Sequence, residues 1–216
     1  MVDFTFWDIA RQLLLALRWT AGLSLIAFFC GSLLGLALLI LRLSRVPGGR
    51  VFVSLYVQVF QGTPLLMQLF LTYFGMAMMG IDTSPLLAAS VCLTLYSAAY
   101  LSDIWRGCVD AVPKGQWEAS ACLAMSFPEQ LRHVILPQAL RVGIAPTAGF
   151  MVQIIKGTAL TSVIGFIEIT KAGQLIANAT FEPFLVYGLV AVLYFSLCFP
   201  ISIWSQRLEK RMRPKH

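Results

Sequence analysis

Charge is what this chain lacks most. Asp, Glu, Lys and Arg make up 12% of its 216 residues, hydrophobic residues make up 58%, and mean hydropathy is +0.79. A soluble domain of this length could not bury that much apolar surface, so the composition excludes one and points to a protein embedded in lipid. Histidine is nearly missing. Only His133 and His216 occur, and no His/Asp/Glu cluster has metal-ligand spacing, which argues against a membrane-embedded metalloenzyme. The five cysteines, at 30, 92, 108, 122 and 198, contain no pair with metal spacing and read as small hydrophobes. No G-x-x-x-x-G-K-[ST] occurs, and "VPGGR" at 46–50 lacks the Lys-Ser/Thr ending and reads as a turn, so the chain carries no phosphate loop. Asp3 and Asp8 stand where a signal peptide would be basic, and no cleaved signal is expected. Solenoid repeats, low-complexity tracts and a soluble domain are also missing, which leaves a single unit.

What the chain does have is long uncharged runs. A spanning helix needs about 20 apolar residues. Residues 19–41, between Arg18 and Arg42, form the first candidate span. Residues 51–81 are uncharged but long for one span and are interrupted by "QGTP" at 61–64. Pro64 suits the first turn of a helix, so a lead-in followed by a span over 64–80 is expected. Residues 83–102, 142–167 (apolar except for Lys156) and 183–206 complete the set. The expected fold is all-α with five transmembrane helices. Residues 1–18, with Phe4, Phe6, Trp7 and Ile9, read as an interfacial lead-in, the alternative being a longer, tilted first span. Residues 207–216 form a basic tail.

Net charge is +6, and the placement of the charges is more informative than their sum. Arg42, Arg45 and Arg50 follow the first span. Arg106, Lys114, Arg132 and Arg141 follow the third, and Arg207, Lys210, Arg211, Arg213 and Lys215 follow the fifth. With five spans, all twelve fall on one side, whereas four or six would scatter them. The positive-inside rule makes that side cytoplasmic, with the N-terminus outside and the C-terminus inside.

The cytoplasmic stretch between the third and fourth spans, 106–141, is the odd one. Trp117, Ala121, Ala124 and Met125 recur at helical spacing, and so do Phe127, Leu131, Val134 and Ile135. Ser126 with Glu129 is a capping-box signal for a second short helix, which Pro137 is expected to break or end. Two short amphipathic helices result. On pattern alone they either cover the bundle or dock something.

"GQWEASACLAMS…VILPQALR" resembles the EAA loop of the permease subunits of ATP-binding-cassette (ABC) importers, and of the polar amino acid uptake branch in particular. Gly115, Gln116, Glu118 and Ala119 match that pattern. Ser120 stands for its second alanine and Ala124 for its glycine, and Ile135 to Ala139, including Pro137, match throughout. "GTPLLMQLFLTYFG" at 62–75 and "AAYLSDIWRG" at 98–107 are similar to the family's second and third spans, "KGTALTSVIG" at 156–165 is similar to its K-D-T-S-L segment, and the likeness covers about 15–210. It implies an ABC type I transmembrane domain over 19–206. Its loop would carry a coupling helix into a groove of a separate ATPase, so that ATP and magnesium bind on a partner and this chain needs no cofactor. The implied partners are a dimer of ATP-binding subunits, a second permease (identical or paralogous) and an extracytoplasmic solute-binding protein, in the bilayer of a bacterial inner membrane and without nucleic acid. The implied function is half of a translocation pathway for a polar amino acid or related solute.

Ionisable groups within spans suggest function. Asp103 lies on the helical face of Tyr96 and Tyr100, and Lys156, followed by Gly157 and Thr158, interrupts the fourth span. The functional reading is a polar path for a zwitterion. The bland one is that Asp103 marks the membrane interface and Lys156 snorkels. The family often carries Asn at Tyr96, Glu at Asp103, Asp at Gly157 and Arg at Gln61. The missing carboxylate at 157 weakens a case for a cationic solute. A secondary carrier is the alternative of another class, but it would need ion-coupling carboxylates of its own.

Overall fold

A 38-residue helix, α1 (Phe6–Leu43), opens the fold in this computed structural model, which describes residues 5–44 and 46–212. Thr5 and Asp8 start it with a reciprocal capping box. The helix has no break near residue 18. Residues 6–18 of the segment read as a lead-in are continuous with the first span, residues 1–4 of it lying outside the described residues, and α1 is about 57 Å long at 1.5 Å per residue.

The described residues fold as helices throughout. After α1 come α2 (Gly49–Gly62), α3 (Leu65–Met78), α4 (Pro85–Asp110), α5 (Lys114–Cys122), α6 (Phe127–Gln130), α7 (Leu136–Thr158), α8 (Ile169–Thr180) and α9 (Pro183–Met212). Among the described residues, four stretches are long and apolar enough to cross a bilayer: Phe6–Leu43, Pro85–Asp110, Phe127–Ile164 and Pro183–Lys210. The remaining expected span is the shorter α3, 14 residues or about 21 Å against a ~30 Å hydrocarbon core. Its predecessor α2, expected as a lead-in, is itself a helix packed on α1 and α4. Val53 and Val57 cluster with Leu38 and Ala98, and the Tyr56 hydroxyl donates to the Leu95 carbonyl at 2.8 Å. The break between α2 and α3 falls at Thr63–Pro64, as the sequence suggests. Gln68 bridges it, its Nε2 donating to the Phe60 and Thr63 carbonyls at 2.9 and 3.0 Å.

Small residues join α1 to α4, which make the most extensive contact in the bundle. A Cβ on Gly31 would lie 2.5 Å from the Ser97 Cβ, and one on Gly35 would lie 3.1 Å from the Ala98 carbonyl oxygen. Within lipid, helices gain little from hiding grease and associate where small side chains allow close approach. The register shows α1 and α4 running parallel. α7 runs antiparallel to α4, pairing Trp105 with Thr147 and Tyr96 with Gln153. α9 runs antiparallel to α7, since Ser205 donates to the Ala145 carbonyl. The end of α1, the end of α4, the start of α7 and the end of α9 therefore gather at one end of the bundle. That end carries Arg42, Arg106, Arg141 and Arg207.

Pro137 does not end a helix. Residues Leu131–Ile135 form one widened π turn, in which the Leu136 N–H donates to the Leu131 carbonyl, and the chain continues into α7 with Pro137 in its first turn. The wider turn accommodates the ring and the missing donor, so the helix persists where a break was expected. The long helices also overrun their expected limits: α4 extends to Asp110, α7 starts at Leu136 instead of 142, and α9 reaches Met212.

Candidate functional site: a hairpin at the charged end

α5 is short because both of its ends are closed. Pro113 precedes it, and the Met125 N–H returns to the Ser120 carbonyl (3.3 Å) while the Ala124 N–H returns to that of Ala121 (2.9 Å), a Schellman closure. Ala124 sits at φ +55, the left-handed position, which explains why a glycine suits this place and makes alanine the costlier residue. The expected capping box then starts α6, with the Ser126 N–H and hydroxyl donating to the Glu129 carboxylate at 2.8 and 2.7 Å.

Three contacts brace this hairpin. The Trp117 ring stacks on Phe127 (6.0 Å, 18°). Gln138 donates to Gln116 (3.2 Å) and to the Val134 carbonyl (2.8 Å). Ile135 and Ala139 are buried with Cys108, Val109 and Val112 at the end of α4. The motif residues thus divide into two groups. Gln116, Ser120, Ala124 and Pro137 have work inside the chain; Ser120 is buried and donates to the Trp117 carbonyl at 2.8 Å. Gly115, Glu118 and Ala119 are exposed. A Cβ on Gly115 would meet nothing within 4 Å, and Glu118 makes no hydrogen bond or ion pair among the described residues.

The residues considered for a solute path are not one cluster. Tyr96 and Tyr100 pack together (4.6 Å) against Phe150, and Gln153 donates to the Tyr96 hydroxyl at 3.1 Å. Lys156 is exposed one turn beyond Gln153. Thr158 is fully buried, and its hydroxyl returns to the Ile155 carbonyl. A Cβ at Gly157 would come 3.2 Å from Leu65 Cδ2, so the absence of a side chain there makes room for α3. Asp103 lies farther down α4 in an ionic cluster, 3.0 Å from Arg106 and 3.8 Å from Arg42, while Arg106 also reaches Asp110 at 2.7 Å. A cleft of about 780 Å³ lies between α1 and residues 126–136 and is apolar apart from Ser44 and Ser126, so it offers a solute no converging polar groups.

Sequence reasoning missed Phe150 and Gln153. It also missed Glu168, which is completely buried beside α9. Burial pushes its carboxyl up from the usual carboxylate range, and hydrogen bonds from Thr170, Tyr194 and Lys171 pull the other way. Gln153, three residues before Lys156 in the uncharged stretch 142–155, was the available signal. Glu168 had none, since its partner Tyr194 is 26 residues away.

The long apolar helices suit a bilayer, and the bundle presents a braced, outward-facing hairpin at its basic end. The chain belongs to the family of binding-protein-dependent transport system inner membrane components, which it matches over residues 27–214. It is similar to the L-cystine transport system permease protein TcyB of Bacillus subtilis, 34% identical over 213 residues (98% of this chain, 90% of the relative). It is also similar to the probable amino-acid ABC transporter permease protein YckA of the same organism, 33% identical over 193 residues (89% of this chain, 85% of the relative). The crystal structure of an amino acid ABC transporter with histidines superposes with a TM-score of 0.91 at 31% identity, covering 98% of this chain and 99% of that one. The chain is therefore a multi-pass permease subunit of an inner-membrane ABC importer.

Proposed function

We propose that the chain forms half of a pathway for a polar amino acid or close relative, and that a separate ATPase drives it through α5. The substrate class rests on the relatives, whose names specify cystine, amino acids and histidines. The observation that carries the drive is the division of the motif: Gly115, Glu118 and Ala119 face outward with no partner among the described residues, on a helix otherwise braced at both ends. A membrane subunit without its own phosphate loop receives work by contact, and a stiff, braced helix transmits a displacement that a floppy loop would absorb. α5 is tied to the start of α7 through Gln116–Gln138 and to α6 through Trp117–Phe127, and α7 carries Gln153 and Lys156. A push on α5 reaches the polar face of α7 in one rigid step. ATP and magnesium bind on the ATPase dimer, a second permease (identical or paralogous) completes the pathway, and an extracytoplasmic binding protein delivers the solute.

The topology proposed with this has five crossings, with α2 and α3 in series as the second, the N-terminus outside and the basic end cytoplasmic. The grouping of Arg42, Arg106, Arg141 and Arg207 supports it. A reporter inserted at Asn178 should be active only outside the cell, and a cytoplasmic signal there would remove this topology.

For the coupling hairpin, Glu118→Lys and Ala119→Trp should leave the helices inserted, since neither touches a crossing segment. Losing one charge-assisted contact is worth about 1.5 to 3 kcal/mol, so ATPase retention on the purified complex should weaken roughly tenfold or more. Normal assembly and normal uptake in both variants would reduce the hairpin to a cover for the bundle.

A further inference from the structure

The helices leave a groove open at the basic end. α1, α4, α7 and the last turns of α9 enclose a cleft of about 470 Å³, with Leu39, Trp105, Val109, Gly143, Thr147 and Trp204 among its walls. It shares Leu36, Leu39 and Leu136 with the 780 Å³ cleft beside the hairpin, so the two adjoin. Gly143 helps to keep the groove open. A Cβ there would meet Cys108 Sγ at 3.5 Å and Trp105 at 3.9 Å, ordinary contacts, so a larger side chain would fill space without displacing backbone.

The polar side chains of these walls are already satisfied inside the chain. Trp105 Nε1 donates to the Thr147 hydroxyl (2.8 Å), which donates to the Gly143 carbonyl (2.6 Å). The Ser44 hydroxyl donates to the Leu41 carbonyl and the Ser126 hydroxyl to Glu129, both at 2.7 Å. An irregular peptide segment entering the groove would leave its own N–H and C=O groups unpaired, which is costly. A hydrocarbon chain brings no such groups.

The rim has the opposite character. Trp204 is 56% exposed, and its indole N–H has no acceptor among the described residues. The Ser205 bond to the Ala145 carbonyl sets α9 antiparallel to α7, so Arg207, just after Ser205, and Arg141, one turn before Ala145, lie at the same end. Both are exposed, and neither makes an ion pair among the described residues, whereas Arg42 and Arg106 are held by Asp103. Lys210 adds a third cation and Glu209 one carboxylate, so the rim stays positive. A tryptophan and unpaired arginines at the mouth of an apolar groove suit a lipid whose phosphate stays at the interface while its tail enters. A zwitterionic lipid carries a cation of its own, so this rim favours an anionic one.

We propose that the groove is a site for an anionic phospholipid of the cytoplasmic leaflet, with an acyl chain between α1 and α7 and its phosphate between Arg141 and Arg207. The choice of leaflet rests on the importer topology above. Inside the groove the chain lies against Leu136, behind the segment that carries the coupling hairpin.

The test uses the complete transporter, purified with its ATPase, in phosphatidylcholine vesicles. A trace of phosphatidylglycerol with a photoactivatable acyl chain is added, or of phosphatidylcholine labelled in the same way, and cross-linked residues are mapped by mass spectrometry. At residues 136–148 and at Trp204 the anionic lipid should label in excess of its ratio over the rest of the chain. Each arginine is worth about fivefold, so Arg141→Gln should lower that excess about fivefold, and Arg207→Gln likewise. Gly143→Leu should abolish labelling of Trp105 by either lipid. Should it fail to assemble, the two arginine variants, both at exposed positions, carry the test. Equal ratios inside and outside the groove would make it ordinary bilayer contact. No label there from either lipid would show that another chain, such as the second permease, fills it. Either result overturns the proposal. Labelling needs neither solute nor ATP, so its failure leaves the importer reading standing, whereas absence of a co-purified ATPase would sink the importer reading and leave the labelling interpretable.

Discussion

α4 and α9 are both long apolar helices, yet burial treats them oppositely. α9 has the higher mean hydropathy, but 17% of its most apolar stretch is buried, against 56% for α4. In water the greasier helix would be the one inside. In lipid there is little to gain by hiding a leucine, and position is decided by how closely backbones can approach and by which polar groups need partners. α4 holds the centre because Ser97, Ala98, Ala99 and Ser102 are small and because Trp105 and Tyr96 find partners on α7. α9 exposes Val192, Phe195, Phe199 and Trp204 on its surface.

Overfilling the tight side should break this contrast most visibly. Gly31→Val places carbon where Ser97 already sits and should cost about 3 kcal/mol, read as loss of folded protein in a denaturant titration in micelles. A wild-type midpoint would mean that α1 and α4 are not in contact at that level. Trp105→Phe removes the 2.8 Å bond to Thr147 while keeping an aromatic ring, and should cost about 0.6 to 1 kcal/mol in the same titration. The smallest effect belongs to the other helix. Val192→Ala, at a residue 62% exposed, should stay within about 0.5 kcal/mol. A loss near that of Gly31→Val would show that a second chain covers this face of α9 and that its exposure belongs to the single subunit.

The capping box at Ser126 and Glu129 was legible because its two partners are three residues apart. The break at Pro64 was legible for a similar reason, since a missing N–H and a fixed φ act locally. Pro137 misled because its effect depended on whether the chain could widen a turn upstream, and the packing of Ile135 against the end of α4 favours doing so. The EAA-like residues were recognisable as a set. Their division into bracing and outward-facing members was not, because Gln116 meets Gln138 only after the hairpin closes. Asp103 looked like a companion of Tyr96 and Tyr100, which helical periodicity allows, and the ion pairs with Arg42 and Arg106 needed α1 alongside.

By itself the sequence determined the solvent, the helical class, most of the long apolar helices and the short amphipathic stretch proposed to meet a partner. Each follows from composition, from charge placement or from residues within a few positions of one another. The tertiary structure alone decided which apolar helix is central, where a carboxylate could be buried and how the interior divides into several apolar clusters. Those outcomes depend on the approach of residues 22 to 149 positions apart, such as Gln116 with Gln138, Glu168 with Tyr194 and Thr20 with Ile169, and no local pattern encodes such approaches.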